Sequence, residues 1–180
     1  KQSISQASLL EFEDLGNVTL LHMTDLHAQL VPIYFREPSI NLGVGEVAGL
    51  PPHITGSDFL KMFGITGGSE LAYALSSEDF QSLARSYGRV GGLDRMATLV
   101  KAIRAERDGK TLFLDGGDTW QGSYTSLKSS GEDMVQAMNL LAPEAMTGHW
   151  EFTYGTDRVK ELLEISTTPL LAGNIRDTEW

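Results

Sequence analysis

"GGLDRMATLVKAIRAERDGKTLFLDGGDTWQGS" (residues 91–123) decides the fold class of this 180-residue chain. Its first part is a helix by period. Leu93, Met96, Ala97, Val100 and Ile103 fall on one stripe, Lys and Arg gather late, and Gly109 stops it. The apolar "TLFLD" (111–115) then reads as a short buried strand, and the glycine-rich "GGDTWQGS" as a loop leaving its carboxyl end.

The same alternation extends in both directions. "NVTLLHM" (17–23) reads as a buried strand that gives way at once to polar "TDLHAQ". "GEDMVQAMNLL" (131–141) is a helix with Met134, Ala137, Met138 and Leu141 inward, and "EAMTG" (144–148) is a weak strand. "TDRVKELLEIS" (156–166) is a helix with Val159, Leu162, Leu163 and Ser166 on one line, and "TPLLAGN" (168–174) is a last strand. Strands alternating with helices predict an α/β fold, a largely parallel sheet covered by helices. Residues 31–87 interrupt it as a long excursion, whose first half carries four prolines and no sustained period. Long loops of this kind are uncommon inside compact domains and usually functional. Within it "SSEDFQSLARSYG" (76–88) predicts a short helix, with Ser76 and Asp79 spaced as a capping box. There is no internal repeat and no flexible linker.

Composition narrows the function classes. Apolar residues at 41% and charged residues at 21% describe an ordinary globular chain, long enough for one domain with a sizeable core. A net charge of −10 argues against a broad nucleic-acid surface, which needs clustered Lys and Arg. It also repels anionic substrates, so an anion site here needs local positive charge such as bound metal ions. The chain has no cysteine, which excludes disulfides, thiolate metal ligands and a cysteine nucleophile within it. No apolar run reaches the length of a membrane span, so no membrane insertion is expected. The opening "KQSISQASLLEFEDLGN" lacks a signal-peptide pattern, as a mature chain with its signal removed also would.

In parallel α/β sheets ligands bind beyond the carboxyl ends of the strands, and three polar motifs sit at three such ends. The first is Asp25-Leu26-His27. Residues two apart at a strand end project to one side, so carboxylate and imidazole can converge on a cation; the alternative is a turn cap and a surface histidine. The second places Asp115 and Asp118 in a loop whose glycines let backbone approach a ligand, Asp118 being better placed to bridge two metals. An Asx-type turn around Gly116 and Gly117 is the competing reading, and Trp120 reads as packing. The third, "TGHWEFTYG" (147–155), offers His149 as a ligand, with Glu151 orienting backbone or a neighbouring ligand and Phe152 and Tyr154 in the core. His22, inside the first strand, reads as a core histidine with a hydrogen-bonded ring. His53 in the excursion and Asn174 after the last strand are lesser candidates.

Taken in order, "LHMTDLH", "GGLDR", "LDGGDTWQGS", "GHWEFTYG" and "LAGNI" resemble the motif set of the calcineurin-like metallophosphoesterases, and more closely their 5′-nucleotidase branch. The likeness covers residues 17–24 and 88–176, with the excursion outside it. It implies that Asp25 and His27 hold one metal and that Asp118 bridges both. It further implies ligand histidines beyond Trp180, so residues 1–180 are expected to be the amino-terminal portion of a dimetal hydrolase domain, inactive alone.

Against the branch's "GNHEFDYG", this chain has His149 for the asparagine ligand, Trp150 for the catalytic histidine and Thr153 for the acid. An imidazole still ligates, whereas an indole donates one hydrogen bond and exchanges no proton. Metal binding is retained while histidine-assisted acid chemistry is lost, which favours a leaving group needing little protonation, such as a thiolate or persulfide. The edited loop, with "PPHITG" (51–56), resembles the thiosulfohydrolase subgroup of the sulfur-oxidising Sox system. That resemblance implies a periplasmic enzyme with two manganese ions, releasing sulfate from a cysteine S-thiosulfonate on the carrier SoxYZ. Hydroxide generated on the cations would be the nucleophile, with no side chain assigned as catalytic. Asp25, His27, Asp118 and His149 are then the metal ligands, and Trp150 and Gln121 the expected substrate pocket. A nucleotide phosphoesterase and a non-catalytic binding module are the alternatives. Trp150 and Thr153 count against the first, and retention of Asp25, His27 and Asp118 against the second.

Overall fold

The computed structural model describes residues 15–36 and 43–173, so Asn174 and the end of the last expected strand lie outside the described residues. These fall into two compact units, one of residues 32–91 and one of residues 15–31 with 92–173.

The larger unit is the expected α/β layout. Strands β1 (Thr19–Met23), β2 (Thr111–Asp115) and β3 (Ala145–Met146) form a parallel sheet in that order. Thr19 pairs with Thr111 and Met23 with Asp115, so β1 and β2 end level; Asp115 in turn pairs with Met146. Helices α4 (Leu93–Glu106), α6 (Glu132–Leu141) and α7 (Thr156–Ile165) supply the apolar cover, and α5 (Tyr124–Ser129) follows the glycine loop. Leu93 and Val100 of α4, Met134, Val135, Met138 and Leu141 of α6, and Val159 and Leu162 of α7 join Phe113, Met23, Met146 and Trp120 in one core.

Several expectations change. β1 is not buried on both faces: strand alternation puts Leu21 and Met23 toward the core and turns Leu20 and His22 the other way. Leu20 is 66% exposed and the neighbouring Leu112 36%, so this sheet face is open among the described residues. His22 is therefore exposed, not a core histidine; its Nε2 lies 3.1 Å from where a Cβ on Gly116 would stand. The weak strand at 144–148 shrinks to two residues, and the last strand to a bridge between Met146 and Leu170. Pro169 has no amide hydrogen to extend that ladder.

The smaller unit contains the short helix expected within residues 76–88, α3 (Phe80–Tyr87), and two helices that were not expected, α1 (Gly56–Met62) and α2 (Glu70–Leu75). Tyr73, Leu83 and Ala84 form its own small core, with Phe80, Tyr87 and Val90 packed on it. Arg36 closes the carboxyl end of α2, donating to the carbonyls of Tyr73 and Ala74. The capping box is absent. Asp79 is left-handed (φ 52°) and caps nothing, while Ser76 Oγ donates back to Ala72 and accepts from the Glu78 amide. His53 lies in this unit, half-buried, its Cβ close to Gly43.

Candidate metal centre

Three loops leave the carboxyl ends of the strands and are stitched together by backbone hydrogen bonds. The amides of Asp25, His27 and Ala28 donate to the carbonyls of Gly117, Asp118 and Thr119, and that of Thr147 donates to Asp115. The parallel ladder thus continues past the strands and joins the loops to one another. Tight backbone contact requires the glycines here. At Gly117 (φ 88°) a Cβ would lie 2.5 Å from the Thr147 carbonyl oxygen and 2.9 Å from the His149 nitrogen. Gly117→Ala is therefore expected to destabilise the chain by about 2 kcal/mol or more, from left-handed strain plus overpacking. A thermal unfolding midpoint equal to the parent's would contradict this.

On this frame one oxygen or nitrogen from each of Asp25, Asp118 and His149 lies within 4.8 Å of the other two. His27 joins them, its Nε2 at 3.9 Å from Asp25 Oδ1 and 3.6 Å from Asp118 Oδ2. His149 Nδ1 is 3.2 Å from the same Asp118 Oδ2. Asp118 is buried, while Asp25, His27 and His149 are exposed, so the acid forms the floor of the cluster and the others its rim. The convergence does not come from extended-strand geometry. Asp25 (φ 56°), His27 (φ 48°) and Asp118 (φ 57°) are all left-handed, a conformation that Asp and His tolerate better than most residues. Two carboxylates and two imidazoles facing one space suit a divalent cation of the manganese, iron or zinc kind, so the residues fit a metal.

The other groups divide into supports and bystanders. Asp115 faces inward. Its Oδ1 accepts from the Gly117 amide and both oxygens from the Thr119 hydroxyl, which is the Asx-turn reading of the sequence. Burial pushes its carboxyl above the ordinary aspartate range, opposed by the hydrogen bonds from Gly117 and Thr119. Glu151 is fully buried. Its Oε1 accepts from the amides of Thr119 (2.7 Å) and Trp120 (3.4 Å), and its Oε2 from that of His149 (2.7 Å). It thus joins the Asp118 loop to the His149 loop through their backbones. Sequence reasoning gave Glu151 an orienting role without identifying this brace. Trp120 is core, Phe152 packs on the core and Tyr154 meets Ser126 Oγ at 3.2 Å. Trp150 stands 60% exposed, its ring edge-on to that of His149 at 6.3 Å between centroids. Gln121 Nε2 donates to Asp118 Oδ1 at 2.5 Å, a contact no spacing rule announced.

No family model matches the chain. The sulfate thiohydrolase SoxB of Thermus thermophilus, solved with glycerol, superposes with a TM-score of 0.78 and 40% identity over 89% of this chain and 30% of that one. The 5′-nucleotidase of Bos taurus is 34% identical over 103 residues, 56% of this chain and 18% of its own length. The apyrase of Tabanus yao is 34% identical over 90 residues, covering 49% and 16%. The chain spans less than a third of SoxB and under a fifth of these two relatives. In its parallel sheet and its carboxylate–imidazole cluster, over the part that it spans, the chain is similar to SoxB and to the 5′-nucleotidases.

Proposed function

We propose that the complete protein is a thiosulfohydrolase that releases sulfate from a cysteine S-thiosulfonate on the carrier SoxYZ, in the periplasm, with two manganese ions. Residues 1–180 are the amino-terminal portion of its dimetal domain, with Asp25, His27, Asp118 and His149 as ligands. The observation that carries the reading is His149, whose Nδ1 reaches within 3.2 Å of Asp118 while the adjacent Trp150 offers no proton to exchange. In the reaction a water oxygen bonds to the sulfonate sulfur, the bond from that sulfur to the neighbouring sulfane sulfur breaks, and the protons of the water pass to solvent. Sulfate is released, and the carrier's persulfide departs with the electron pair, needing no protonated side chain. Cations at this cluster would lower the pKa of water and polarise the sulfonate oxygens, overcoming the repulsion of a chain carrying −10. The chain's own part is to fix the ligands. Glu151 and the inter-loop ladder hold Asp118 and His149, and Trp150 forms an exposed apolar wall beside them.

The likeness to a nucleotidase and an apyrase keeps a second reading in play, a phosphoesterase acting on nucleotides. The complete protein, loaded with manganese, is to be given carrier S-thiosulfonate and, separately, a nucleoside monophosphate. Sulfate release without phosphate release, lost in His149→Ala, is the expected result. Phosphate alone would transfer the assignment to the second reading.

A further inference from the structure

Asp118 offers two oxygens, and the structure puts them to different uses. Oδ1 is held at 2.5 Å by the side-chain amide of Gln121, three residues on in the same loop. Oδ2 faces both imidazoles, His149 Nδ1 at 3.2 Å and His27 Nε2 at 3.6 Å. These histidines come from different loops, so one atom lies where the two halves of the cluster meet. The carboxylate has little freedom to turn, because Asp118 is 3% exposed and its left-handed backbone is fixed by the hydrogen bond from the His27 amide to its carbonyl. Gly122, next after Gln121, lies so near His27 that a Cβ there would stand 2.6 Å from its carbonyl oxygen, which anchors the stretch carrying the amide.

We infer that Gln121 is a positioning residue that sets which oxygen of Asp118 serves the cations. With Oδ1 engaged by the amide, Oδ2 is the oxygen that faces both imidazoles and would be the one offered to cations held there. A glutamine serves because its amide donates to an acid without bringing charge, whereas a lysine or arginine would compete with the cations. This assignment rests on the two-metal reading above. It moves Gln121 from the substrate pocket to the support of a ligand.

The test uses the complete protein as Gln121→Leu and Gln121→Asn, the first of similar size without the amide and the second too short to reach. Four readouts are needed: manganese titration, the spin coupling between bound ions by electron paramagnetic resonance, the thermal midpoint of the metal-free protein, and KM for the carrier S-thiosulfonate. Outer-shell partners of metal ligands are typically worth about 10–100-fold in affinity, so the weaker manganese site should lose about tenfold in both variants, with altered coupling between the ions. The metal-free midpoint should stay near the parent's, because Gln121 is only half-buried. Parent protein binding two ions, with variants of equal affinity and unchanged coupling, would overturn the assignment alone; a rise in KM as the sole effect would return Gln121 to the pocket. A parent that binds fewer than two ions would overturn the two-metal reading itself. A metal-free midpoint lowered as much as affinity would show a merely structural role.

Discussion

In the complete protein, on the proposed function, Asp118→Asn is expected to cost about a thousandfold in turnover and to abolish tight manganese binding, while Asp115→Asn leaves both within a few-fold of the parent. A bound cation supplies several kcal/mol of charge stabilisation, and each step of about 1.4 kcal/mol is a factor of ten. Asp118 is the carboxylate within reach of both imidazoles, and an amide there removes the charge. Asp115 points away, bound to Gly117 and Thr119, and an asparagine keeps an oxygen for the first and gains a donor for the second. Burial raises the Asp115 pKa, so the folded chain holds that proton more tightly than the unfolded one does. Its contribution to stability is present below the ordinary value of 3.8 and declines as pH rises from there through the raised folded value. Asp115→Asn should flatten that part of the stability–pH curve. Should Asp115→Asn lose manganese and Asp118→Asn keep it, the loop would have been read the wrong way round.

Glu151→Ala should be the most destabilising single change in the larger unit. The carboxylate takes three backbone donors, those of Thr119, Trp120 and His149, in a position with no solvent access. Each buried donor left unpaired costs about 1–3 kcal/mol, so the three together cost about 3–9 kcal/mol before any void is counted. Glu151→Gln keeps one oxygen and turns an amide group toward the other donors, so about half that loss is expected on the same grounds. Chemical unfolding of the metal-free protein reads both numbers without reference to activity. A loss below about 1 kcal/mol for Glu151→Ala would mean that other groups satisfy these donors and the loops are not joined through this side chain.

The fold was legible where period and length agreed. α4, α6 and α7 each repeat an apolar stripe over at least ten residues, and β2 is an apolar run ended by glycines. In the excursion only α3 was legible; α1 and α2 are six to seven residues long, too short for a period to show among prolines and glycines. His22 was misplaced because alternation tells which residues share a face, not which face is covered. At the site, residue types and strand ends pointed to Asp25, His27, Asp118 and His149, which the structure brings together. The left-handed turns that aim them, and the contacts of Glu151 and Gln121, depend on distances between loops far apart in sequence, and no local pattern encodes those.

The left-handed cluster carries a consequence for redesign. Asp25, His27, Ala28 and Asp118 occupy a region of backbone space where glycine or asparagine rests more easily. A search of sequence space guided by thermal robustness alone would put those residues there first, and would gain stability while erasing the donors that face the cluster. At Asp25, His27 and Asp118 the residue least suited to its own backbone is also the one that supplies an atom to the cluster.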